Sequence, residues 1–167
     1  MTRSRPLLTP DLLVTLRRAF RLEWRGIHGA PHWARVRVNG LLLARTTGAR
    51  VDVVEFFAFL HDSQRFHDGG DRQHGARAAA YAKSINASLL GLDALGLEQL
   101  TYACRHHSDG LTEADVTVQT CWDADRLDLA RVGTRPRPEY LCTPQAKSRD
   151  VINAAVRRSL EQRTTRA

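Results

Sequence analysis

Apolar residues recur along this chain at three- and four-residue intervals, a spacing that predicts helices from end to end. Leu12, Leu13, Leu16, Phe20 and Trp24 form the first stripe, with Thr9 as its cap and Pro10 at the first helical position. Gly26 and Gly29-Ala30-Pro31 break the chain. A second helix opens at about His32, carries Val36, Leu41, Leu42 and Leu43, and closes at Gly48. Asp52 can cap a third, which runs through the Phe-rich segment to about Arg65. After the loop Phe66-His67-Asp68-Gly69-Gly70-Asp71, a fourth helix begins near Asp71 or His74 and ends near Gly91. A fifth spans about Leu92 to His106, and a sixth starts at Leu111 to Asp115 and runs to about Arg131. Arg135-Pro136-Arg137-Pro138 is extended or turn-like. The last helix, about Lys147 to Gln162, places Val151, Ile152, Ala155, Val156 and Leu160 on one face. Val36-Arg37-Val38 alternates but is too short for a strand. The expected architecture is all-α: a compact single domain over 1–167, with its core at about 26–132 and flanking helices at 9–25 and 147–163.

Hydrophobic residues make up 43% of the 167, enough to bury a core and too many for a largely disordered chain. No apolar run is long enough to span a bilayer. Thr9, Pro10 and Asp11 interrupt anything of signal type after the basic start, so the expected setting is cytoplasmic. Cys104, Cys121 and Cys142 are an odd, widely spaced set with no CxxC pair, so neither a disulfide framework nor a zinc ribbon is indicated. The net charge of +7 admits a polyanionic partner, nucleic acid or nucleotide. Much of that excess sits at the chain ends, in Arg3, Arg5, Arg17, Arg18, Arg157, Arg158, Arg163 and Arg166, and no basic stripe is interleaved with aromatics. Nucleic acid is therefore not favoured as a partner.

The candidate chemistry lies in histidines and acids. His61-Asp62 ends an apolar run, where an imidazole and a carboxylate are costly to bury without partners. A metal ion that takes both removes that cost. Of the seven histidines, none follows His107. Beyond it comes Cys121-Trp122-Asp123-Ala124-Asp125-Arg126-Leu127-Asp128. In a helix Asp125 and Asp128 share a face while Asp123 points elsewhere. The alternative for this segment is a solvated acidic face neutralised by Arg126 and Arg131.

The ordered set of His32 opening a helix, His61-Asp62 closing the next, then His74-Gly75, His106-His107 and Asp-Ala-Asp-Arg-Leu-Asp resembles the HD superfamily of metal-dependent phosphohydrolases. The similarity covers roughly His28 to Arg131. It implies a helical bundle whose ligands converge on one pocket. His32 matches the family's first histidine, His61 and Asp62 its doublet, and Asp125 its closing aspartate better than Asp123 does. In the two-metal branch Asp62 would bridge to a second ion held by His74, His106 and His107. No Gly-Tyr-Pro follows His106-His107, which departs from the signalling members that cleave cyclic dinucleotides.

The implied reaction is cleavage of a phosphate ester of a nucleotide or other small phosphorylated metabolite by a metal-activated water. Mixed imidazole and carboxylate ligands suit Mn, Fe, Co, Ni or Zn better than Mg, with one or two ions per chain. Arg35, Arg65 and Arg126 are the candidate phosphate binders, each also a candidate structural ion pair. Asp128 can accept from a ligand imidazole. His28 lies in a Gly-rich loop, facing solvent or substrate. Two other functions remain open: an HD-type di-iron oxygenase on the same ligands, and a non-catalytic nucleotide- or nucleic-acid-binding regulatory domain.

Overall fold

The computed structural model describes residues 6–164, and in it seven α-helices are joined by turns and short 3-10 segments with no strand. Of the terminal arginines, Arg3, Arg5, Arg166 and the Arg163 side chain lie outside the described residues. The helices are α1 (Pro10–Ala19), α2 (Ala30–Thr47), α3 (Val51–Leu60), α4 (His74–Ile85), α5 (Ala94–His106), α6 (Val116–Arg126) and α7 (Arg149–Thr164). None of them is long and apolar enough to cross a membrane.

Helix α3 is the hub, because seven of its ten residues are buried: Val53, Val54, Glu55, Phe56, Phe57, Ala58 and Leu60. It packs against α2, α4, α5 and α6, while α4 pairs mainly with α5, and α2 with α6. The one charged group in this set, Glu55, accepts from Arg37 Nε of α2 at 2.6 Å. Close approach of the helices is set by glycine. A Cβ at Gly40 would stand 2.5 Å from Val54 Cγ1, so α2 can lie against α3 only without one. A Cβ at Gly75 would stand 2.5 Å from the Cys104 carbonyl and 2.8 Å from that of Arg105, so the start of α4 touches the backbone of α5. Phe20, Trp24, Trp33 and Phe59 close one end of the core as a chain of edge-to-face rings. A smaller cluster of Leu43, Leu127, Leu141, Ala146, Ile152 and Ala155 docks α7.

The helix starts expected at Thr9 and Pro10 and the stop at Gly48 are where the chain places them: Thr9 Oγ1 accepts from Leu12 N at 3.2 Å, and Gly48 has φ +80°. Other boundaries differ. The first helix ends at Ala19, because Phe20 is already extended and turns its ring into the aromatic cluster. Asp52 lies inside the first turn of α3 and Arg50 precedes it as cap. The fourth helix loosens into a π-turn at Asn86–Leu90 before Gly91. The sixth stops at Arg126, and a 3-10 turn over Leu129–Val132 replaces its last expected turn.

Gly75→Ala is expected to destabilise the protein by about 1–3 kcal/mol, the usual range for overpacking a tight contact, since the clash is with backbone and cannot be relieved by a rotamer change. Urea denaturation of the two proteins side by side measures it.

A candidate metal centre

Six side chains from five helices meet at the end of α3. His32 comes from the first turn of α2, which Pro31 opens and Gly29 caps. His61 and Asp62 continue α3 past its last turn, His74 begins α4, His107 follows α5, and Asp125 lies in the last turn of α6. His32, His61, Asp62, His74 and His107 are all buried.

Their donor atoms form two groups that share Asp62. In the first, the Nε2 atoms of His32 and His61 are 3.0 Å apart and each is 3.6 Å from Asp62 Oδ2. Asp125 Oδ1 stands 3.4 and 3.6 Å from the same two nitrogens. In the second, His74 Nε2 and His107 Nε2 are 2.8 Å apart, and Asp62 Oδ1 is 3.2 and 3.6 Å from them. Ligands held about 2.0–2.2 Å from a divalent ion lie about 3.0–3.5 Å from one another, so both groups have the spacing of a coordination shell.

The reverse face of each imidazole explains why the inner face is electron-rich. His32 Nδ1 donates to Asp128 Oδ2 at 2.7 Å, His61 Nδ1 to Phe57 O at 3.1 Å, and His107 Nδ1 to Cys104 O at 2.7 Å. His74 Nδ1 donates to Asp71 O. With the ring protons placed on Nδ1, the Nε2 atoms turn inward, those of His32 and His61 beside Asp62 and Asp125 and those of His74 and His107 beside Asp62. Such a buried convergence of acceptors is unfavourable unless a cation is shared among them. Burial holds the His61 imidazole near pKa 3, so it stays neutral and available as a ligand. Burial alone would raise the Asp62 carboxyl, but His61 first, then His107, His28 and His74, hold it well below the ordinary range. Asp125 is likewise held low against its burial, by His32 and His61. Burial opposes charge on His107, yet its pairing with Asp62 raises it on balance.

Asp128 is the anchor behind His32. It is fully buried and accepts from Arg35 Nε at 2.7 Å and Nη2 at 3.1 Å, and from Ser159 Oγ of α7 at 2.6 Å. Asp123 faces away from the cluster. It accepts from the backbone N–H of Cys142 at 2.6 Å and of Thr143 at 2.8 Å, and so ties the segment after the 3-10 turn Pro138–Tyr140 onto α6.

Two expectations are revised by this geometry. His106 is turned outward and donates to Asp109 Oδ2 at 2.7 Å, so of the histidine pair only His107 reaches the cluster. His106 is the last residue of α5 and stays on the solvent side with Asp109, while His107, one step of about 100° further round, turns its ring inward. Arg35, expected as a phosphate binder or a structural ion pair, is engaged with Asp128 behind His32. Arg65 and Arg126 do line the cavity of about 400 Å³ over the cluster, together with His28, Asp62, His107 and Asp125. Arg126 also holds neighbouring backbone, donating to Leu111 O at 2.7 Å and Tyr140 O at 3.0 Å. Arg131 and Ser108 also line the cavity, although the sequence offered Arg131 only as a neutraliser of the acidic segment and gave Ser108 no role. Arg131 comes from the 3-10 turn and Ser108 follows His107, and neither has a local signal of its own. His28 does face the site: its Nδ1 donates to Asp62 Oδ2 at 2.9 Å, and its Nε2 lies 3.3 Å from Asp68 O.

No protein-family model matches the sequence, and comparison with curated proteins finds no significant match. Among solved structures, one described as a predicted HD superfamily hydrolase from an uncultured Thermotogales bacterium is 27% identical, with a TM-score of 0.68 over 93% of this chain and 88% of that one. In fold, and in the buried histidine and aspartate groups, the chain resembles the HD superfamily.

Asp128→Asn removes a charge that orients His32 without removing any inward-facing atom. It is expected to weaken Mn binding about 10–100-fold, the usual effect of losing a partner behind a ligand imidazole, with helical circular dichroism unchanged. Calorimetric titration of both proteins with Mn checks it.

Proposed function

We propose that this chain is a metal-dependent hydrolase that cleaves a phosphate ester of a nucleotide or other small phosphorylated metabolite. The observation that carries the reading is the pair of buried donor groups sharing Asp62 at the floor of an arginine-lined cavity. The similarity to a structure described as an HD superfamily hydrolase supports the reaction class. The unit is proposed to be one domain in a cytoplasmic setting, as expected from the sequence.

In this reading His32, His61, Asp62 and Asp125 hold one divalent ion, and Asp62, His74 and His107 hold a second. A bound ion supplies Lewis acidity, which polarises a substrate oxygen and makes water a competent nucleophile near neutral pH. The donor set of imidazoles and carboxylates favours Mn, Fe, Co, Ni or Zn over Mg.

The rest of the work falls to the chain itself. Asp128, Phe57, Asp71 and Cys104 hold the imidazole rings from behind and fix their orientation. Arg65, Arg126 and Arg131 give the cavity wall positive charge, which suits an anionic ester and disfavours a neutral or cationic one. His28 carries an N–H at the wall, within reach of a bound oxygen as well as of Asp62. A cavity of about 400 Å³ admits a small metabolite and leaves a folded nucleic acid outside.

The same ligand set is compatible with a di-iron oxygenase, favoured by the bridging position of Asp62. Oxygen consumption without phosphate release distinguishes it. For the hydrolase reading, phosphate release from a panel of phosphorylated metabolites is expected with Mn and absent with chelator. Asp62→Ala is expected to lose both metal and turnover while keeping its helical content. Full activity in that variant overturns the proposal.

A further inference from the structure

The two donor groups look alike in composition but not in surroundings. The first contains two carboxylates, Asp62 and Asp125, beside two imidazoles whose inner nitrogens meet only each other and those acids. The second adds two imidazoles and no carboxylate of its own, since Asp62 is shared. It is also already in contact with a cation. Arg65, 8% exposed, donates through Nη1 to Asp62 Oδ1 at 3.3 Å and to His74 Nε2 at 3.0 Å. Two of the three donor atoms of this group are therefore engaged by a guanidinium that is always charged. Its Nη2 donates to Gly69 O at 3.1 Å, which holds the side chain over the group, and its Nε is buried without a partner.

We propose that Arg65 is a built-in competitor for the second ion. The chain takes one divalent ion readily between His32, His61, Asp62 and Asp125, and a second at Asp62, His74 and His107 only when the guanidinium gives way. This rests on reading both groups as ligand sets. The lone pair of His74 Nε2 can accept an N–H or bind an ion, but not both. A divalent ion within hydrogen-bonding range of a guanidinium, in a buried site and with no further carboxylate to offset it, is strongly repelled. The position three residues after the His-Asp doublet thus sets how many ions the chain carries.

Mn titration of the full chain, read by calorimetry and by electron paramagnetic resonance, tests this without any substrate. The wild type is expected to bind a first Mn at least about 100-fold more tightly than a second, and to give an uncoupled spectrum at one equivalent. Arg65→Gln and Arg65→Met are expected to tighten the second site about tenfold or more, with the first changed by less than about threefold, and to show an exchange-coupled pair at two equivalents. His107→Ala is expected to keep the first site alone. Two equally tight ions in the wild type, or second-site affinity unchanged in either folded Arg65 variant, overturns the role of Arg65 and leaves the metal reading standing. No Mn bound by the wild type at all overturns the metal reading itself, and this inference with it.

Discussion

The structure depends on the way four imidazoles are held from behind. Each gives its Nδ1 proton to an acceptor in the scaffold, one carboxylate and three backbone carbonyls, and so must aim an unprotonated Nε2 at its neighbours. Six acceptor side chains then share one buried space. Arg65 and His28 donate into that space, and a divalent ion would compensate the remaining lone pairs. The helix ends serve this purpose: the carbonyls that receive the protons of His61 and His107 come from the last turns of α3 and α5.

Helix packing sets the distances. Because α3 is buried on nearly all sides, its end is fixed in space, and the consecutive residues His61 and Asp62 inherit that precision. The two oxygens of Asp62 serve opposite groups, which joins the halves of the site into one unit. Gly75 lets α4 reach the backbone of α5, and the contact carries His74 to within 2.8 Å of His107. Helix α7 is remote in sequence but not in effect, since Ser159 donates to the Asp128 carboxylate that orients His32.

Charge is distributed unevenly around this centre. The acids are concentrated in the group of His32 and His61, and the arginines stand over the other half and along the cavity wall. The ester proposed as substrate would meet positive charge on entering and, at the bottom, histidines and aspartates that could hold a metal ion. The net charge of +7 is a weak guide to this arrangement, because Arg35 and Arg37 are paired with Asp128 and Glu55.

The sequence by itself determined the helices and most of the converging groups. Helix periodicity is local, so the stripes starting at Leu12, Val53 and Ile152 are visible in short windows, as are the cap at Thr9 and the stop at Gly48. The order of His32, His61-Asp62, His74, His106-His107 and Asp125 is legible as a resemblance to the HD superfamily, since it needs only residue types in succession along the chain. What only the tertiary structure decided is which way each side chain turns. His106 and His107 are adjacent and chemically identical, and the rotation of α5 against α3 and α4 selects the second. Asp123 and Asp125 differ by two residues, and the seating of α6 gives one to the chain at Cys142 and the other to the imidazoles. Arg35 was a candidate for phosphate or for an ion pair, and its partner Asp128 is 93 residues away, beyond anything spacing can convey. A helix's register is written in its neighbours, and its rotation about its own axis is fixed only when the helices pack.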